Sequence, residues 1–158
     1  MRAIVDTNVL LVANGKAAQA SSDCQEECAN RLLSLQRNGK IVLDDLRYIL
    51  EEYSHKLNFK GEPGLGDAFY RWAWNNQGNP ERCETFSITP DDESFLEFPS
   101  DPDLESFDPS DRKFVALAVA SKAPVWEAVD SDWWSVRVAL QANDIVVEFL
   151  CPDYFETR

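Results

Sequence analysis

Four carboxylates stand where separate chain elements meet turns or helix faces: Asp6, Glu52, Asp111 and Asp132, with Asp130 close behind the last. Carboxylate oxygens are the preferred ligands of hard divalent cations, and Mg²⁺ typically takes one or two of them while keeping several waters. Such a cation can orient and acidify water and neutralise charge on a phosphate, which phosphodiester hydrolysis requires. No nucleophilic serine, histidine pair or glycine-rich phosphate loop competes for the role, and His55 is the sole histidine. Each carboxylate alone has a plainer use. Asp6 can cap a helix that follows its strand. Asp111 can sit in a helical first turn behind an Asp108 cap, and Asp130 and Asp132 can be ordinary turn residues. Of the adjacent pair Glu51 and Glu52, helical projection puts Glu52 beside Ile49 at the edge of an apolar stripe and Glu51 toward solvent, so Glu52 is the candidate.

The elements around these residues alternate. Ala3-Ile4-Val5 reads as a buried parallel strand that breaks at Asp6-Thr7-Asn8, with a short helix over Val9 to Ala13. Ser22 to Gln25 has a capping-box pattern, and Cys24, Cys28, Leu32 and Leu35 share one face of the helix that Asn38-Gly39 ends. Lys40 to Leu43 is a second strand; Asp44-Asp45 start a helix with Leu46, Ile49, Leu50, Tyr53 and Leu57 at helical spacing. Leu65 to Asn76 is helical, with Leu65, Ala68, Phe69 and Trp72 inward, and Thr89-Pro90-Asp91-Asp92 caps a short helix running to Phe98. Pro99 to Pro109 is a loop, and Arg112 to Ser121 is the most apolar helix. Pro124 to Val129 is a third strand, Trp133 to Ala142 a helix and Ile145 to Leu150 a fourth strand. Strands alternating with helices imply an α/β chain with a parallel sheet covered on both faces. Ligands of such sheets sit outside the carboxyl ends of the strands, where Asp6 and Asp132 fall.

The joint pattern resembles the PIN-domain family. Ile4-Val5-Asp6-Thr7-Asn8 is similar to the family's opening, and Ile49-Leu50-Glu51-Glu52-Tyr53 to its apolar-x-Glu helix. Asp111-Arg-Lys-Phe-Val-Ala-Leu-Ala118 resembles its central Asp helix, and Val129-Asp130-Ser131-Asp132 its last acidic turn. The motifs are short but occur in the expected order over nearly the whole chain. The resemblance implies a single domain over residues 1–158, a three-layer α/β/α sandwich with a central parallel sheet. It further implies an endoribonuclease that hydrolyses single-stranded RNA with Mg²⁺ or Mn²⁺, leaving a 5′-phosphate. Asp6, Glu52, Asp111 and Asp132 carry over as metal ligands and catalytic residues, with Thr7 and Asn8 supporting them. Asp130 stands where many members have Thr or Ser, and adds a ligand or holds a water. Many small members are VapC-type toxins of bacterial toxin–antitoxin pairs. The acidic middle, residues 79–107, matches none of the family motifs. Two rivals are weaker: an aspartyl-phosphate phosphatase, which would need a carboxylate where Asn8 stands, and a non-catalytic PIN-like protein-interaction module.

Composition narrows the partners. With 28 acidic against 15 basic residues, the formal charge of −13 argues against a simple nucleic-acid-binding module, because bare affinity for phosphate backbones comes from Lys and Arg. Bound cations reverse the local sign, and a basic antitoxin-like protein or a homodimer would offset the rest. Trp74, Trp133 and Trp134 are candidate apolar anchors for either, with core packing the plainer use of at least one. Arg112 and Lys113 read as solvated cations rather than phosphate contacts. A hydrophobic share of 44% suffices for a core without disulfides. Cys24, Cys28, Cys83 and Cys151 form no C-x-x-C pair, so structural zinc is disfavoured and Cys24 and Cys28 read as buried thiols. The opening Met-Arg-Ala-Ile-Val-Asp turns acidic too soon for a signal peptide, and no apolar run has membrane-spanning length. A reducing cytoplasm without membrane contact is the expected location.

Overall fold

A β-branched run with no polar side chain can be buried on both faces only in the middle of a sheet, and that is where the first strand lies. In the computed structural model, which describes residues 1–156, β1 (Arg2–Val5) is the central strand, and Ala3, Ile4 and Val5 are buried. It is flanked by β2 (Lys40–Asp44) on one side and β6 (Val125–Glu127) on the other. β3 (Cys83–Phe86) and β7 (Val147–Phe149) complete a five-stranded, fully parallel sheet of order β3-β2-β1-β6-β7. The order reverses at β1, because the chain steps from β1 to β2 and β3 and then crosses back to β6. That reversal opens a crevice at the carboxyl ends of β1 and β6.

The helices form the outer layers of a three-layer α/β/α sandwich. α1 (Thr7–Ala13), α2 (Ser22–Asn38) and α4 (Leu65–Asn76) pack against one another, with α3 (Tyr48–Lys56) beside α4. α5 (Arg112–Ser121) lies in the return crossover and packs on β1, β2, β3 and β6. Right-handed crossovers running in opposite directions along a sheet place their helices on opposite faces. α6 (Ser131–Ser135) and α7 (Arg137–Ala142) precede β7, and α8 (Pro152–Glu156) follows it. Among the described residues no helix is long and apolar enough to cross a membrane.

Local chemistry sets the boundaries. The α2 cap is Ser21, whose hydroxyl accepts from the Cys24 amide at 3.1 Å, one residue before the expected box. Asp44 does start the next helix, but from a distance: its carboxylate accepts from the Leu46, Tyr48 and Ile49 amides at 3.1, 2.8 and 3.0 Å. Leu46 therefore sits in the turn, exposed, rather than on the buried helix face. The inward face of α4 is Gly66, Phe69, Tyr70 and Ala73, while Leu65 is exposed and Trp72 half-buried. Gly66 is required there, since a Cβ would come within 2.1 Å of the Leu10 carbonyl oxygen.

Five expectations are corrected. The segment after Thr89 is no helix; Pro90–Asp91 (β4) and Ser94–Phe95 (β5) form an antiparallel hairpin, whose turn uses Asp92 at φ 53°, a conformation that Asp tolerates. The sheet has five strands rather than four, because the half-exposed edge strand Cys-Glu-Thr-Phe carries no apolar run. The helix expected over Trp133 to Ala142 breaks at Val136 into α6 and α7. Trp133 cannot anchor a partner, since it is wholly buried edge-on against Phe107 at 5.0 Å. Trp134 stacks on Phe155 with ring centres 4.6 Å apart, and Trp74 packs edge-on against Phe59. Cys24 is not a thiol: it is bonded to Cys151, whereas Cys28 is the buried free thiol expected.

Candidate metal centre

The register of the central strands brings the first pair of carboxylates together. Val5 is paired with Trp126, so Asp6 and Glu127 lie side by side at the carboxyl ends of β1 and β6, and the Asp6 amide donates to the Trp126 carbonyl at 3.1 Å. Asp130 enters from the turn after β6. One carboxylate oxygen each from Asp6, Glu127 and Asp130 lies within 4.8 Å of the others.

Asp6 is 3% exposed and does not use its side chain to cap α1, which removes the plainer reading of it. Glu127 is wholly buried; its Oε1 accepts from the Ala128 amide at 3.1 Å, and its Oε2 meets no donor among the described residues. Two acceptors placed against each other can be joined only by a shared proton or a cation. Asp130 has a second duty, since its Oδ1 accepts from the Asp132 amide at 2.9 Å and so caps α6.

Two further carboxylates act on this cluster through their charge. Asp111 ends a 3₁₀ turn (Pro109–Asp111) capped by Asp108, whose Oδ1 accepts from the Ser110 amide at 3.0 Å. Asp111 makes no cap bond of its own and is half-buried. Glu52 is held at both oxygens: the Thr7 hydroxyl donates to Oε2, and Lys113 Nζ lies 2.8 Å from Oε1. Its neighbour Tyr53 donates its hydroxyl to the Val5 carbonyl, fastening α3 to the end of β1. Glu51 is exposed, as the helical projection expects. Asn8 accepts the Val129 amide at 2.8 Å and so ties α1 to the turn that carries Asp130.

The electrostatics follow from burial and crowding. The Asp6 carboxyl is lifted to about 7, chiefly by burial, with a hydrogen bond shared with Glu127 opposing and the charges of Glu52 and Asp130 adding to the rise. Burial, then the charges of Asp6, Asp130 and Glu52, lifts Asp111 to about 8. Burial and the Asp6 charge push Glu127 well above the carboxylate range. Asp130 is also raised, chiefly by burial, with the Asp132 amide opposing. A group of carboxyls all held toward the neutral form is what a cation site resembles before its counter-charge arrives.

The structure thus unites Asp6 with Asp130 and puts Asp111 and Glu52 within electrostatic reach. Asp132, expected as a ligand, does not join them; it is exposed in the first turn of α6, while Asp130, the cap of that helix, is the residue that reaches the cluster. Glu127 was missed from sequence. Its signal was a single carboxylate inside the otherwise apolar run Val125-Trp-Glu-Ala-Val129, where a buried charge requires a partner. Arg112 faces away, donating to the Glu105 and Phe107 carbonyls and lying over the Phe98 ring. Neither Arg112 nor Lys113 is a free surface cation.

No protein family, curated protein or solved structure gives a significant match to this chain. The resemblance to PIN domains rests on the short motifs quoted above.

The donor set fits a hard divalent cation. Every converging ligand atom is a carboxylate oxygen, no thiol or imidazole is among them, and the buried Oε2 of Glu127 meets no amide or hydroxyl donor among the described residues. Asp6, Asp130 and Glu127 would hold Mg²⁺ or Mn²⁺.

Proposed function

We propose that this chain is a divalent-metal-dependent endoribonuclease of PIN type that hydrolyses single-stranded RNA. The observation that carries the reading is the convergence of Asp6, Glu127 and Asp130 at the point where the strand order reverses, with one buried oxygen unpartnered. Asp111 and Glu52 border that point, in agreement with the motif resemblance.

A divalent cation at this centre supplies positive charge to the scissile phosphate and acidity to a nearby water. The chain's own groups do the positioning. Asp6 and Glu127 sit on adjacent strands and cannot move apart without breaking the sheet. Thr7 and Lys113 clamp Glu52, leaving it oriented toward the crevice as a water-orienting carboxylate. Asp111, held toward the protonated form, would offer a further carboxylate oxygen to a cation bound there, giving up its proton. An RNA substrate would meet an acidic chain, and a cation held by Asp6, Glu127 and Asp130 would offset that charge for a phosphate.

The cellular setting we propose is cytoplasmic, where RNA is present, with the −13 charge matched by a basic antitoxin-like partner or by dimerisation. The test is cleavage of a labelled single-stranded RNA by purified protein in excess EDTA, then with Mg²⁺ or Mn²⁺ restored. Activity only with metal is expected. Full activity in EDTA would refute the metal mechanism. Tight Mn²⁺ binding without RNA cleavage would identify a non-catalytic PIN-like interaction module instead.

A further inference from the structure

Three of the four cysteines meet on the side of the fold where α2 packs near the chain segment after β7. Cys24 and Cys28 lie one turn apart on α2, and Cys151 directly precedes α8. Cys24 and Cys151 are disulfide-bonded with Cα atoms 5.4 Å apart, and the Cys28 sulfur lies 3.9 Å from that of Cys151. All three sulfurs are buried and lie within 4.8 Å of one another. A disulfide needs two sulfurs; the third is unexplained by it.

An exchange reaction does not account for Cys28. Attack on a disulfide requires a thiolate, and burial, aided by the Glu27 charge, pushes the Cys28 thiol up to about 12. Spacing suggests another use. Metal–sulfur bonds of about 2.3 Å at tetrahedral angles put ligand sulfurs about 3.8 Å apart, close to the Cys28–Cys151 separation of 3.9 Å. A cleft of about 510 Å³ opens beside the pair and is lined by Asp23, Glu27 and Asp153 as well as Cys24 and Cys151. It offers room, negative charge and an oxygen or water as a fourth ligand.

We propose that reduction of the Cys24–Cys151 disulfide converts this cluster into a three-thiolate site, Cys24, Cys28 and Cys151, for a soft d¹⁰ cation of the Zn²⁺ kind. The reductant is a thiol: two thiols give up two electrons and two protons, the Cys24–Cys151 bond breaks to two cysteine thiols, and the thiols leave as their own disulfide. Zn²⁺ then displaces a proton from each of the three cysteines and forms three Zn–S bonds. A reducing compartment favours this form, an oxidising one the disulfide. The site is separate from the carboxylate centre in donor type: soft sulfur here, hard oxygen there.

The experiment uses the full chain, reduced anaerobically with a phosphine, which becomes phosphine oxide as water supplies the protons. Excess Mg²⁺ fills the carboxylate centre, and Co²⁺ is added as the spectroscopic stand-in for Zn²⁺. The reduced chain is expected to develop a thiolate-to-cobalt charge-transfer band that added Zn²⁺ abolishes, and the oxidised chain none. Cys28→Ser should lose most of the band, while Cys83→Ser keeps it. Absence of the band in the reduced wild type overturns the proposal, as does a wild-type band in Cys28→Ser. Should Cys28→Ser fail to fold by circular dichroism, the comparison of reduced with oxidised wild type decides alone.

Discussion

Replacing Asp6 by Asn removes the most central charge of the carboxylate cluster while keeping its shape. Asp6 has an ordinary value of 3.8 and is held at about 7 in the fold. Between those values the folded chain binds more protons than the unfolded one, so stability falls as pH rises through that window. The whole penalty is in place above about pH 7. A shift of about 3 units corresponds to about 4 kcal/mol at 1.36 kcal/mol per unit. Asp6→Asn does not ionise and escapes it, and its amide can donate to Glu127. The metal-free variant is therefore expected to melt well above the metal-free wild type at pH 8, by about 8–16 °C at 2–4 °C per kcal/mol. Near pH 4, where the wild-type carboxyl is protonated, the two should nearly coincide. Millimolar Mn²⁺ should reverse the order at pH 8, because only the wild type retains the ligand and binding to the folded state alone stabilises it. Differential scanning calorimetry in EDTA and in Mn²⁺ at both pH values measures all four states. A variant whose advantage is the same at pH 4 and pH 8, or is absent at both, would refute the account of a charge-strained cluster.

Further expectations concern single groups. Asp130→Asn should lower RNA cleavage at saturating Mn²⁺ by about 100-fold or more, whereas Asp132→Asn and Glu51→Gln, both exposed, should leave rates close to wild type; equal losses from Asp130 and Asp132 would misplace the centre. Glu127→Gln should weaken Mn²⁺ binding in titration calorimetry by about 10–100-fold without unfolding the chain, since its amide can donate to Asp6. Gly66→Ala, which places a Cβ 2.1 Å from the Leu10 carbonyl oxygen, should cost about 3 kcal/mol in urea unfolding; an unchanged midpoint would mean that α1 and α4 separate easily.

The parts of this fold that were legible in the sequence are those where one pattern had one physical meaning. Ala3-Ile4-Val5 could be buried on both faces only as a central strand, and Cys24, Cys28, Leu32 and Leu35 could share a face only on a helix. Glu52 was separated from Glu51 by helix phase alone, and the structure half-buries one and exposes the other. What escaped was decided by tertiary contact. β3 is an edge strand whose residues alternate without an apolar run, so its pairing with β2 supplies the order that its sequence does not. Asp130 and Asp132 are equivalent in a turn until the end of β6 is fixed; two residues of uncertainty there exchange a cluster member for a solvated side chain. Glu127 was hidden by its own strand, since its partner Asp6 is distant in sequence and adjacent only through the β1–β6 register. Cys151 was likewise invisible as a companion of Cys24, 127 residues away.

The pairing of β1 with β6 also governs when the carboxylate centre can form. These strands come from opposite ends of the described chain, and everything between them must be synthesised before they can meet. A growing polypeptide carries Asp6 well over a hundred residues before it acquires Glu127 and Asp130. Any fragment stopped before β6 has an open crevice edge, lacks two of its converging carboxylates and has no second wall against which to hold Asp6. The centre is thus completed last, and no shorter fragment holds all three of its carboxylates.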